Sequence, residues 1–157
     1  TKTFNLAGLQ NSLIVIPDKT IRARFDAYLK KIRITPSNPM GYIAVEAAYR
    51  GGAAWAKECR RQIYENFELL RDTLAARAPK AVVSPLEGTY LMWVDLGAYV
   101  KAEEMKDFME RRCGLAVDYG EWFGGERFGT FIRLNLATSR ELVQAAADKL
   151  CAALEQC

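Results

Sequence analysis

What most constrains this chain is a change of hydrophobic period close to residue 80. Before it, apolar residues recur at helical spacing; after it, short β-rich runs alternate with turns. The segment just before the change, from about residue 53 to residue 78, sets Trp55, Cys59, Ile63, Phe67, Leu70 and Leu74 along one face. Arg60, Glu65, Glu68 and Arg71 lie elsewhere, and Pro79 ends the pattern. A helix of that length with one stripe to bury suits an element that bridges two layers or domains.

Beyond the change, Ala81-Val82-Val83 reads as a strand, and residues 89–96 as a second, reached through the turn Pro85-Leu86-Glu87-Gly88. Residues 101–113 are predicted helical with Met105, Phe108 and Met109 facing inward. Residues 115–117 form a third strand, residues 118–129 a loop with four glycines and the large rings of Trp122 and Phe123, and residues 130–136 the last strand. Ser139 caps a closing helix in which Leu142, Ala145, Ala146, Lys149, Leu150 and Ala153 share a face. The order β-β-α-β-β-α predicts an α+β layer, an antiparallel or mixed sheet covered by helices.

Upstream, Leu13-Ile14-Val15-Ile16 reads as a short buried strand closed by Pro17. Asp18 or Thr20 caps a helix over residues 21–33 with Ile21, Phe25, Tyr28, Leu29 and Ile32 at helical spacing. Two prolines make residues 35–39 a loop, residues 40–49 are helical, and Gly51-Gly52 interrupts them before the long helix. One strand and two helices cannot make a core alone, so this part reads as the tail of another domain. Its first residue is Thr rather than Met, which points to a fragment.

The 157 residues suffice for one domain with a sizeable core, or one domain plus a piece of another. A net charge of +3 is spread along the chain, so nothing argues for nucleic acid or an acidic membrane as partner. There is no apolar run of about 20 residues and no signal-peptide pattern. Four cysteines lack C-x-x-C spacing and read as reduced thiols of a cytoplasmic protein. No histidine is present, which removes serine–histidine and cysteine–histidine catalysis and leaves no metal set. Chemistry must come from a lysine, a carboxylate, a tyrosine or a bound cofactor. In Phe131-Ile132-Arg133-Leu134-Asn135-Leu136, alternation sets Phe131, Arg133 and Asn135 on one face. An arginine so placed either faces solvent or points into a polar cleft, and alternation alone does not choose. Lys2, beside a chain end, reads by itself as a solvated charge.

The stretch Lys2-Thr3-Phe4-Asn5-Leu6-Ala7-Gly8-Leu9 resembles the cofactor-lysine segment of pyridoxal-phosphate (PLP) enzymes of the aspartate-aminotransferase fold, fold type I. Within that superfamily it is most similar to the group of cystathionine β-lyases, cystalysin and related aminotransferases. Arg133-Leu134-Asn135-Leu136-Ala137-Thr138 resembles the family strand whose arginine grips the substrate α-carboxylate, a task suited to a planar fork of donors. Glu87-Gly88-Thr89-Tyr90-Leu91-Met92-Trp93 and Trp122-Phe123-Gly124 also resemble family stretches. In the first, the glycine is expected to make the turn and the aromatics to pack the sheet; Asn5 is expected to support the turn around the lysine. The chain departs from the aspartate-aminotransferase branch at Gln10, where that branch has a phosphate-binding arginine.

The resemblance implies that Lys2 bonds to PLP and moves the substrate α-proton, and that Arg133 binds the carboxylate. It implies residues 1–50 as a remnant of the PLP-binding large α/β domain, 51–79 as a connecting helix and 80–157 as the C-terminal small α+β domain. Residues that hold the cofactor phosphate and ring would lie upstream. The implied protein is a homodimeric aminotransferase or carbon–sulfur β-lyase acting on amino acids, the lyase slightly favoured, and the isolated chain would be inactive. The competing reading is a non-catalytic α+β binding or structural module.

Overall fold

The Asp18 carboxylate accepts the Ile21 backbone N–H at 2.8 Å and so starts helix α1, Lys19–Lys31. Asn38 does the same for α2, Pro39–Gly51, accepting from Gly41 N at 2.8 Å, with Pro39 in the first turn where no amide is needed. The structure, a computed structural model, describes residues 2–34 and 38–157; residues 35–37 of the expected proline loop lie outside the described residues. Gly52 follows α2, and α3, Ala53–Arg77, runs to the edge of Pro79 as the sequence predicts. The chain divides into two compact units, Thr1–Glu58 and Cys59–Cys157, with the boundary inside α3.

In the first unit the expected strand at residues 13–16 does not form. Leu13, Ile14 and Val15 are 62% to 84% exposed, and no described residue pairs with their backbone. Apolar, β-branched residues favour a strand only when a neighbour completes the hydrogen-bond ladder, and nothing described in this unit does.

The second unit is built on a four-stranded antiparallel sheet in the order β1-β2-β4-β3. The strands are β1 (Val82–Val83), β2 (Leu91–Asp95), β3 (Asp118–Tyr119) and β4 (Phe131–Asn135). Met92, Val94 and Ile132 are buried on one face and are joined there by Tyr119, paired with Ile132. Against that face pack Phe67, Leu70 and Leu74 of α3, the Met105, Phe108 and Met109 cluster, and the closing helix α6, Arg140–Leu154. The cluster is carried by α4, Met105–Asp107, which continues into a π turn, Phe108–Arg112. The α+β class expected from the alternation of periods is the one observed.

Three local expectations shift. The third strand falls at Asp118–Tyr119 rather than residues 115–117, because the Leu115 amide turns back to the Met109 carbonyl at 2.9 Å, just past the π turn that Cys113 N–H closes on the Phe108 carbonyl. The buried residues of α6 are Val143, Ala147, Leu150, Cys151, Ala153 and Leu154, so Leu150 and Ala153 of the expected face are buried, while Leu142 and Ala145 are exposed. That set keeps Lys149 out of the core, which the expected face did not. In the turn before β2 the left-handed residue is Thr89, at φ +66°, not Gly88.

Asn66 ties α3 to the end of β4: its buried side-chain amide donates to the Leu136 and Thr138 carbonyls, each at 3.0 Å. Asn66→Ala leaves both acceptors short of a partner in a dry setting and is expected to cost about 2 to 4 kcal/mol. Denaturant unfolding should show this as a lowered midpoint with an unchanged slope.

Candidate functional site

The lysine motif is held by its phenylalanine. Phe4 makes an edge contact with Tyr49 at 5.2 Å between ring centroids and stacks on Trp55 at 6.2 Å. A side chain at Gly52 would come within 2.6 Å of the Phe4 ring, so that close approach depends on glycine. Asn5 adopts φ +54°, a left-handed conformation that Asn tolerates, and donates its amide to the Lys2 carbonyl at 3.3 Å. Downstream, the Asn38 side chain donates to the Leu9 carbonyl at 2.7 Å, which fixes the far end of the motif to the start of α2. Lys2 itself is exposed, on a turn whose neighbours are anchored. It belongs to the first compact unit and Arg133 to the second.

Arg133 stands on the sheet face opposite the core. Antiparallel register places Trp93, Arg133 and Asp118 in one row across β2, β4 and β3. The arginine side chain is 22% exposed. Its guanidinium lies 4.3 Å from the centroid of the Phe123 ring and 5.9 Å from that of Trp93, the two rings meeting edge to face at 5.3 Å. Such contacts contribute about 0.5 to 2 kcal/mol each and fix the plane of the cation. Phe123 is brought there by the short helix α5, Glu121–Gly124, directly after β3. Gly120 allows this turn: a Cβ there would lie 2.3 Å from the Phe128 carbonyl oxygen.

The Asp118 carboxylate takes the side of the guanidinium, its Oδ2 accepting Nε–H at 3.1 Å and Nη2–H at 2.7 Å. No described residue bonds Nη1, so the outer edge of the fork, Nη1 and Nη2, keeps donors for a second carboxylate. A half-buried, ring-backed cation with one edge held and another open can bind an anion in a defined orientation. On the opposite, core face of the sheet the Tyr119 phenol donates to Glu110 at 3.2 Å, and burial followed by that bond pushes its pKa up to about 12. It is a neutral packing group, not a base.

Strand alternation puts Arg133 on one face with Phe131 and Asn135, and only the family resemblance gives it a role; neither singles out Asp118 or the ring pair that holds it. The sequence puts Asp118 and Phe123 in a loop and Trp93 in the packing of the sheet. The available signal was the pairing of β3 with β4, which single-strand alternation does not carry. Among the described residues no group of His, Cys, Asp or Glu side chains could hold a metal, and no helix is long and apolar enough to cross a membrane.

No protein-family model matches the chain. Cystathionine beta-lyase PatB of Bacillus subtilis is 34% identical over 155 residues, a match spanning 98% of this chain and 40% of that protein. Cystalysin from Treponema denticola, solved with a PLP cofactor, superposes with a TM-score of 0.91 at 31% identity, over 98% of this chain and 39% of its own. A PLP-bound C-S lyase from Staphylococcus hominis in complex with L-cycloserine superposes with a TM-score of 0.85 at 33% identity, over 98% and 37%. The chain spans about 40% of the length of the curated relatives it matches. Its sequence relatives are cystathionine beta-lyases and its fold is that of the C-terminal portion of PLP fold type I enzymes, as the residue motifs implied.

Proposed function

We propose that the protein carrying this chain is a PLP-dependent carbon–sulfur β-lyase acting on a cystathionine- or cysteine-like amino acid. The observation that carries this reading is the 34% identity to a cystathionine beta-lyase along 98% of the chain. The open edge of the Arg133 guanidinium supports it, because every amino-acid substrate brings a carboxylate to be bound. Lys2 fits covalent attachment of the cofactor by its chemistry: a primary amine, exposed, on a turn whose backbone is anchored through Phe4 and Asn5. The cofactor, when bound, supplies an electron sink for the bond broken at the substrate α-carbon.

Within that scheme Arg133 binds the α-carboxylate through Nη1 and Nη2 and so fixes the orientation of the amino acid at that end. Lys2 Nζ, once free, takes the α-proton. In β-elimination the C–S bond then breaks and the thiolate leaves with the bonding pair. Water later converts the remaining fragment to pyruvate and ammonia. Transamination differs in where the proton is returned, and residues outside this chain decide it. We read residues 1–50 as part of the cofactor-binding domain, 51–79 as the connecting helix and 80–157 as the small domain. The working protein is a cytoplasmic homodimer, and the 157-residue chain, which spans about 40% of the length of its curated relatives and holds little of the cofactor pocket, is inactive by itself.

Incubating the protein that carries this chain with L-cystathionine and no keto acid tests the reaction. Lyase activity yields pyruvate, ammonia and free thiol in equal amounts. Turnover that requires a keto acid and releases no ammonia would instead make it a transaminase. Absence of both reactions in PLP-loaded protein would overturn the reading.

A further inference from the structure

We propose that Asp118 is a positioning residue that orients Arg133 for the substrate carboxylate by holding its Nε–Nη2 edge. The inference rests on Arg133 being the carboxylate clamp. Two features of the geometry carry it. Both bonds converge on one oxygen, Oδ2, and both come from the side of the guanidinium, so the outer edge stays available. The Phe123 and Trp93 rings set the plane of the cation but cannot set its rotation within that plane; a directional acceptor can. The register of β3 against β4 supplies that acceptor directly across from Arg133.

A carboxylate in this position has two opposed effects. It fixes the fork, which favours binding, and its charge repels the incoming α-carboxylate, which opposes it. Asparagine keeps an acceptor oxygen and removes the charge, so the two effects separate by substitution. In Asp118→Ala the fork is free to rotate, and KM for the amino-acid substrate is expected to rise about tenfold with kcat changed less than about threefold. In Asp118→Asn KM is expected to stay within about threefold of the parent, or to fall, because the bonded geometry persists.

The experiment measures both variants in the PLP-loaded protein alongside Arg133→Ala. A second readout besides activity is the equilibrium binding of a non-reacting substrate analogue with and without its α-carboxylate. Asp118→Ala should weaken only the carboxylate-bearing analogue, with bound PLP and melting temperature unchanged. A merely structural role would weaken both analogues alike or lower the melting temperature in both Asp118 variants, and would overturn the inference. Tighter carboxylate binding in Asp118→Ala would also overturn it, since Asp118 would then be a competitor. If Arg133→Ala leaves carboxylate discrimination intact, the clamp assignment itself fails, and that outcome is distinct from loss of discrimination in Arg133→Ala with none in Asp118→Ala.

Discussion

Lys2→Ala, made in the protein that carries this chain, is expected to lower turnover by about a thousandfold. The loss combines two roles: without Nζ there is no amine to bond the cofactor aldehyde, and no base beside the α-carbon. The fold should be untouched. Lys2 is exposed, and the turn beneath it is set by Phe4 on Tyr49 and Trp55 and by the Asn5 amide. Melting temperature should therefore match the parent. Lys2→Arg is expected not to restore activity, because a guanidinium remains protonated and does not attack an aldehyde. An added small alkylamine should recover part of the rate in Lys2→Ala by taking over the proton transfer. A variant that keeps more than about a tenth of parental turnover would remove Lys2 from the chemistry.

Arg133→Ala is expected to raise KM for the amino-acid substrate about a hundredfold, the loss of two charge-assisted hydrogen bonds worth about 3 kcal/mol together. Bound PLP should be unchanged, since the guanidinium is assigned to substrate alone. Stability should fall only modestly. The core-facing neighbours Ile132 and Leu134 remain, and Asp118, whose side chain is 41% exposed, can rehydrate when its partner is removed. Arg133→Lys should recover little, because an ammonium cannot present the two parallel donors that a carboxylate matches. Steady-state kinetics and spectroscopic cofactor content read these effects separately. Collapse of the second unit with no specific substrate effect would make Arg133 a structural residue.

The parts of the fold that the sequence carried were those with strong local period. The long helix α3, with Phe67, Leu70 and Leu74 turned inward, ended one residue from the expected point because Pro79 cannot continue it. Met105, Phe108 and Met109 were found because three large apolar residues at helical spacing have few other uses. The parts that were lost depend on partners. Residues 13–16 have strand composition but no described partner strand, the Ile16 carbonyl accepting instead from the Arg22 side chain, and the third strand moved because a backbone bond from Leu115 to Met109 took priority. The site divides in the same way. The face of Arg133 could be read from its own strand, whereas the placement of Asp118, Trp93 and Phe123 around it depends on the neighbouring strands and the short helix α5. Lys2 stands apart: composition and spacing gave it no distinction, and only the motif around it did.

The most direct test of the central claim is borohydride reduction of the PLP-loaded protein that carries this chain, followed by intact mass and peptide mapping. The account predicts one reduced phosphopyridoxyl adduct per chain, located on the peptide that contains Lys2 and absent from Lys2→Ala. An adduct on a different lysine, or none in protein that is otherwise folded and saturated with PLP, would contradict it.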